Sequence, residues 1–132
     1  MQVDHIGYAV KKMDKAIADF EKLGYIFDKI IDDEDRNLHM AFGNNGGYRV
    51  ELLAPMAGKE SPVDEYLKKN GPVPYHICYR SSNLEEDIAK LEKERYKIVV
   101  PPQKACAFDG KRVVFMMKLS VGLIEIVEDT EA

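Results

Sequence analysis

Two histidines and two glutamates stand at nearly repeated spacing along the chain. Glu51 follows His5 by 46 positions, and Glu125 follows His76 by 49. Imidazole nitrogen and carboxylate oxygen are ligands that suit zinc, nickel, cobalt, manganese and iron. Burying an ionised carboxylate without a partner is very unfavourable, and one divalent cation accounts for all four groups together. The pattern therefore predicts one divalent metal site formed by His5, Glu51, His76 and Glu125, with zinc, nickel, cobalt or manganese as the ion.

Each of these residues also has an ordinary interpretation when it is taken alone. A lone histidine in an apolar strand is usually a hydrogen-bonded core residue, and a lone glutamate in a strand usually faces solvent. The duplication of the pair favours the metal. His39 is a weaker candidate for a ligand or a base. Cys78 is expected to be a small buried residue rather than a nucleophile, because no partner base is apparent.

The hydrophobic pattern predicts the elements that position these residues. Each half of the chain reads strand, helix, strand, strand, strand. A histidine lies in the first strand of each half and a glutamate in the last. Because side chains alternate across apolar strands, these residues should face the core or line a cavity. The predicted strands are residues 4–10, 25–31, 38–42 and 48–54 in the first half, and 75–80, 96–100, 113–117 and 123–127 in the second.

Local signals mark where several elements begin and end. Asp14 is expected to cap the first helix, and Asn83, with a glutamate three residues later, the second. Gly24 should end the first helix in a left-handed conformation. Residues 43–47 are typical of a hairpin turn, and the prolines at 101–102 are expected to end a strand.

Length and composition limit the classes of protein to consider. A chain of 132 residues has room for one domain, with a first module at about 3–55, a linker at 56–73 and a second module at about 74–128. A net charge of −4 argues against nucleic acid, and no apolar stretch approaches the ~20 residues of a membrane helix. Two cysteines and no signal-peptide pattern predict a reducing, cytoplasmic location.

Around the four predicted metal ligands the sequence resembles the vicinal oxygen chelate superfamily, also known as the glyoxalase/bleomycin resistance/dioxygenase superfamily. The resemblance covers nearly the whole chain. It rests on the segments DHIGYAV, YRVELLAP, ESPVDEYLKKNGPVPYHICYR, GKRVVFM and LIEIVE. The third of these is particularly similar to methylmalonyl-CoA epimerases.

The resemblance implies a fold and a reaction. The fold is α+β, with two βαβββ modules forming a curved mixed-sheet barrel of the glyoxalase type in a single domain. The enzyme would be an isomerase or lyase that uses the four predicted ligands to hold a metal ion. That ion would stabilise the enediolate formed when the carbon next to a substrate carbonyl loses a proton. Glu51 or Glu125 would be the base, loosening from the metal when substrate binds.

The sequence leaves three hypotheses for the function. The chain is most similar to methylmalonyl-CoA epimerase, but Tyr75 stands where those enzymes commonly have a histidine. The loop 118–122 is also shorter than theirs and lacks their usual pair of a proline and a glycine. Some epimerases also have a carboxylate base in their second strand, whereas the predicted strand 38–42 carries no acid. The first alternative is lactoylglutathione lyase (glyoxalase I), which uses the same His-Glu-His-Glu ligand set. A non-catalytic antibiotic-binding protein is the second. The expected partner is a small carbonyl or thioester substrate, and superfamily members are often homodimers.

Overall fold

The computed structural model describes residues 1–129, and the predicted order of strands and helices holds except that one predicted strand of the first half is divided in two. The elements group into two compact units, one spanning His5–Tyr75 and the other combining Met1–Asp4 with the chain from His76. We call them the N-terminal and C-terminal units. The elements are β1 (Gln2–Ala9), α1 (Met13–Lys22), β2 (Ile26–Phe27), β3 (Ile31–Asp33), β4 (Leu38–Asn45), β5 (Tyr48–Pro55), α2 (Asp64–Asn70), β6 (Val73–Ser81), α3 (Leu84–Lys93), β7 (Lys97–Lys104), β8 (Arg112–Lys118) and β9 (Gly122–Glu128).

In the N-terminal unit a mixed sheet carries one helix on one face. Its strand order is β2-β4-β5-β1, and β3 also pairs with β4. β1 runs parallel to β5, whereas β4 and β5 form an antiparallel hairpin. Helix α1 covers one face because its apolar residues recur at helical spacing. That face is built from Val10, Met13, Ala41, Val50, Leu52 and Ala54, with Tyr8, Ile17 and Phe20 packed around them.

The C-terminal unit repeats this arrangement. Its strand order is β6-β9-β8-β7, with β6 parallel to β9 and the other pairs antiparallel. Helix α3 covers one face of the sheet. The residues buried there are Leu84, Ile88, Val114, Met116, Ile124 and Ile126. The predicted α+β class with two βαβββ modules is confirmed. The strand path within each unit is open rather than closed into a barrel.

The hairpin between β4 and β5 is tighter than the sequence suggested. Only Gly46 and Gly47 form the turn, with φ of 55° and 89°, the conformation that a two-residue hairpin turn requires. Gly43, which we placed in the turn, lies within β4 instead. A Cβ at this position would lie 2.5 Å from the ring of Phe27, so the close approach of that ring explains the glycine.

The helix ends agree with the sequence in two of three cases. Asn83 caps α3, since its Oδ1 accepts a hydrogen bond from the backbone N–H of Glu86 at 3.2 Å. Gly24 follows α1 with a φ of 103°. The expectation for Asp14 is wrong: α1 begins at Met13, two residues before the start that a cap at Asp14 would give, and Asp14 lies in its first turn. A carboxylate there still interacts favourably with the helix dipole.

Two predicted strands have different limits in the structure. The strand expected at 25–31 is divided into β2 and β3, which pair with different parts of β4. β7 continues through Pro101 and Pro102 to Lys104, although we expected these prolines to end it. It tolerates them because it ends the strand path of its unit and its pairing with β8 shifts register between Val100 and Gln103.

Candidate metal centre

The first histidine–glutamate pair joins two neighbouring parallel strands. In the pairing of β1 with β5, Gly7 lies opposite Glu51, so that His5, two residues before Gly7, points to the same side of the sheet. His5 Nε2 lies 3.3 Å from Glu51 Oε1. Both residues are buried, with exposed fractions of 1% and 3%. The structure therefore brings together the first predicted ligand pair.

The second pair repeats this geometry in the C-terminal unit. Cys78 lies opposite Glu125 in the parallel pairing of β6 with β9, and His76 is again two residues earlier. His76 Nε2 lies 3.1 Å from Glu125 Oε1. Both residues are buried. The sequence repeat of a histidine and a glutamate is thus a repeat of strand register and of side-chain contact.

Both pairs lie on the sheet faces that the helices leave uncovered. In β5, Val50 and Leu52 pack toward α1, so Glu51 between them points to the opposite face. In β9, Ile124 and Ile126 pack toward α3, so Glu125 between them points to the face that α3 leaves uncovered. The apolar neighbours on each strand thus fix the face to which the carboxylates point.

The donor set and its spacing fit a first-row metal ion. A charge-assisted N–H···O bond usually spans about 2.7–2.9 Å, shorter than either pair. Two ligands that each lie ~2.1 Å from one ion at tetrahedral or octahedral angles are about 3.0–3.4 Å apart. The separations of 3.3 and 3.1 Å fall in that range. Each pair therefore has the spacing of two adjacent ligands of one ion.

Sequence reasoning missed a phenylalanine beside each pair. Phe42 lies opposite Glu51 in the pairing of β4 with β5, and its ring centroid is 5.3 Å from that of His5. Phe115 lies opposite Glu125 in the pairing of β8 with β9, and its ring centroid is 5.4 Å from that of His76. A signal was available, because these phenylalanines precede the two glutamates by 9 and 10 positions.

The weaker candidate His39 lies away from the first pair. It is paired opposite Ala54, whose side chain packs on the α1 face of the sheet, so His39 and Glu51 point to opposite faces. His39 Nδ1 lies 2.6 Å from Asp32 Oδ1, and its side chain is 38% exposed. It borders an open groove of about 620 Å³ beside Lys12 and the start of α1.

The other candidate positions are apolar in character. Cys78 is fully buried, forms no disulfide and packs with Ala105, Val113 and Val127. On β4 the position next to Phe42 on the same face is Met40, which is buried and carries no acid–base group. Neither residue adds an ionised group to the two pairs.

A sequence model of the "Glyoxalase/Bleomycin resistance protein/Dioxygenase superfamily" matches residues 4–115. The chain belongs to this superfamily. It is 29% identical over 132 residues to the "Uncharacterized protein YqjC" of Bacillus subtilis, covering 96% of this chain and 91% of that protein. It is 28% identical over 130 residues to the mitochondrial methylmalonyl-CoA epimerase of Homo sapiens, covering 95% and 72%.

The fold is also that of a solved relative. The crystal structure of methylmalonyl-CoA epimerase from Mycobacterium tuberculosis matches this superfamily member with a TM-score of 0.83 and 26% identity, covering 96% of this chain and 87% of that one. Within residues 1–129, no helix is long and apolar enough to span a membrane. Membership in the superfamily and relationship to an epimerase are therefore established, whereas the ligand set stays a prediction.

Proposed function

We propose that this protein is a divalent-metal-dependent enzyme that moves a proton on the carbon next to a substrate carbonyl, with methylmalonyl-CoA epimerase as the nearest activity. His5, Glu51, His76 and Glu125 would together hold one ion, with zinc, nickel, cobalt or manganese as the candidates. The observation that carries the proposal is the repeated buried pair, with N–O separations of 3.3 and 3.1 Å in the same strand register. The epimerase relatives support the choice of reaction.

Such an ion, when bound, supplies Lewis-acid polarisation of the substrate carbonyl. The chain itself supplies the proton transfer. The C–H bond next to the carbonyl breaks and its electron pair forms a double bond to the carbonyl carbon. The carbonyl π pair moves onto the oxygen, and the proton passes to a carboxylate of Glu51 or Glu125. Because the carboxylate that accepts the proton can exchange it with solvent before returning it, the substrate carbon takes up deuterium in heavy water. Return of the proton from the opposite side of the same carbon inverts its configuration.

The two ligand glutamates are the candidate bases because the neighbouring strand offers none. Some epimerases carry a carboxylate on the strand that corresponds to β4, whereas here the face of β4 that Glu51 shares carries the apolar residues Leu38, Met40 and Phe42. His39 points to the other face and is held by Asp32. We therefore assign proton transfer to Glu51 or Glu125 and to neither residue of the His39–Asp32 pair.

Lactoylglutathione lyase activity is the second candidate, because the His-Glu-His-Glu set is the one that glyoxalase I uses. In that reaction the proton would return to the neighbouring carbon of a hemithioacetal. A chain that binds a small molecule without catalysis, as the antibiotic-binding members do, is a third outcome. Such a protein would need no metal and would show no proton transfer.

A side-by-side assay in heavy water distinguishes these functions. Metal-free protein receives cobalt, nickel, zinc or manganese, and then either methylmalonyl-CoA or the hemithioacetal of methylglyoxal and glutathione. Deuterium uptake with inversion in the first arm supports the epimerase, and formation of the hydroxyacyl thioester in the second supports the lyase. If no metal yields turnover of either substrate, both named activities are wrong.

The base is identified by comparing two matched variants in the active arm. Glu51→Gln and Glu125→Gln each keep the size of the side chain and remove its ability to accept the proton. Deuterium exchange at the substrate carbon should stop in one variant that still binds metal. Full exchange in both metal-loaded variants contradicts a glutamate base.

We further propose that the protein acts in the cytoplasm and forms a homodimer. Neither Cys78 nor Cys106 is in a disulfide, which supports a reducing compartment. Dimers are common in the superfamily. Sedimentation at micromolar concentration measures the association state. A monomer would refute the dimer and would leave the metal proposal intact.

A further inference from the structure

Each histidine–glutamate pair has the same third member, a phenylalanine in the neighbouring antiparallel strand. Phe42 is the cross-strand partner of Glu51, and its ring stands at 79° to the ring of His5. Phe115 is the cross-strand partner of Glu125, and its ring stands at 89° to the ring of His76. The internal repeat therefore extends from two residues to three.

The phenylalanine is retained while its neighbours differ between the modules. Opposite Glu51 on the histidine strand stands a glycine, Gly7, and opposite Glu125 a cysteine, Cys78. Two residues before each phenylalanine on the same face, the first module has Met40 and the second has Val113. A requirement for apolar filling alone is met by several residue types, as these positions show. The repeated ring points to a requirement for its shape and its contact with the histidine.

We propose that Phe42 and Phe115 are positioning residues of the metal site. This inference rests on the proposed function, since it assigns their role to holding metal ligands. Near-perpendicular ring pairs are favoured because the positive edge of one ring meets the negative face of the other. Rotating either imidazole out of its plane about the χ2 angle weakens this contact. The phenylalanine therefore holds the ring plane in which Nε2 lies beside the glutamate oxygen.

The two phenylalanines differ in how firmly they are held. The guanidinium of Arg49 lies 4.1 Å from the centroid of the Phe42 ring, over its face. Phe42 is 4% exposed, whereas Phe115 is only partly buried. A cation over the ring face and close packing both restrict the Phe42 ring. We therefore expect the loss of the Phe42 ring to disturb metal binding more than the loss of the Phe115 ring.

The test compares Phe42→Leu and Phe115→Leu with a matched control, Phe20→Leu. Phe20 makes the same kind of edge contact, with ring centroids 5.2 Å apart and planes at 83° to Tyr8, but it belongs to the α1 face of the sheet. Metal affinity is measured by competition with a chromophoric chelator. The visible absorption of the cobalt-loaded protein reports ligand geometry, and the Tm of the metal-free protein reports stability.

We expect Phe42→Leu and Phe115→Leu to bind cobalt about 10–100-fold more weakly than the wild type, because removing groups that orient metal ligands typically lowers affinity by that factor. Their cobalt spectra should change in shape. Phe20→Leu should lower the metal-free Tm and leave affinity and spectrum as in the wild type. Phe115→Tyr retains the ring and should restore both affinity and spectrum.

Two results would overturn the inference, and they differ from failure of the proposed function. Wild-type affinity and an unchanged spectrum in folded Phe42→Leu and Phe115→Leu would show that the rings only fill space. If a leucine variant does not fold, Phe42→Met and Phe115→Met keep the volume without the ring, and wild-type binding in both would have the same meaning. A wild-type protein that binds no cobalt would refute the metal site itself.

Discussion

Replacing His76 by glutamine separates metal ligation from packing more cleanly than replacing it by alanine. The imidazole is buried, and its Nε2 lies 3.1 Å from Glu125 Oε1. Alanine would leave a void and a buried carboxylate without its partner, which costs about 1–3 kcal/mol for the unpaired group alone. A glutamine amide occupies much of that volume and can still donate to the carboxylate. Since neutral amides are poor ligands for these ions, His76→Gln should retain stability and lose affinity.

The magnitude of the effect follows from linkage. An ion at 1,000 times its Kd stabilises the folded state by about 4.1 kcal/mol. For a domain of this size, 1 kcal/mol shifts Tm by roughly 3–5 °C, so the wild-type Tm should rise by about 12–20 °C. Loss of one ligand that weakens binding about 100-fold leaves the ion at ten times its Kd and about 1.4 kcal/mol of stabilisation. The rise in Tm should then be roughly 4–7 °C.

The assay is thermal unfolding of chelator-treated protein, with and without excess cobalt, nickel, zinc or manganese. The metal content of the dialysed protein is measured in parallel. His39→Gln is the matched control, because His39 is half-exposed and points to the other face of its sheet. It should show the wild-type rise in Tm. If His76→Gln shows the same rise and the same metal content as the wild type, His76 is not a ligand.

Three further predictions concern stability, each measured by thermal unfolding. The Arg112 guanidinium donates a hydrogen bond to Glu128 at 2.9 Å and holds the pKa of that carboxyl below its usual value. The ion pair therefore stabilises the folded state fully above the ordinary carboxyl pKa, and this contribution is lost as the pH falls through the lowered pKa. The Tm difference between wild type and Arg112→Gln should therefore be larger at pH 7 than at about pH 3, and an equal difference would exclude the ion pair as its cause. Gly43→Ala should cost about 1–3 kcal/mol, because the new Cβ meets the Phe27 ring at 2.5 Å, and an unchanged Tm would show that the ring moves freely. Asn83→Ala should cost about 1 kcal/mol through loss of the α3 cap, whereas Asn83→Ser should retain most of it.

Local rules were enough to predict most of the elements and the faces of their strands. Alternation along β1 put His5 and Gly7 on one face, and the structure buries both. Helical spacing identified the apolar side of α1, which packs against the sheet as expected. The predictions were wrong where pairing with strands distant in sequence determines the limits of an element. Whether a proline ends a strand depends on whether the strand lies at a sheet edge, which residues 101–102 alone do not reveal.

The candidate site shows the same division between local and long-range information. Residue type and duplication predicted the two pairs, and the structure places each glutamate beside its own histidine. The parallel register that sets Gly7 opposite Glu51 is a long-range pairing with no local signal. The phenylalanines were missed for this reason: Phe42 reaches His5 only because β4 and β1 both flank β5.

The prolines of β7 also bear on how the protein behaves at high concentration. β7 ends the strand path of the C-terminal unit and exposes Ile98 and Val99, a combination that favours pairing with strands of other chains. Pro101 and Pro102 have no backbone N–H to donate, and the register shifts beside them bend the ladder. An incoming strand therefore finds a short and interrupted template. The two prolines that were expected to end the strand, and instead lie within it, therefore protect this edge against intermolecular sheet growth and aggregation.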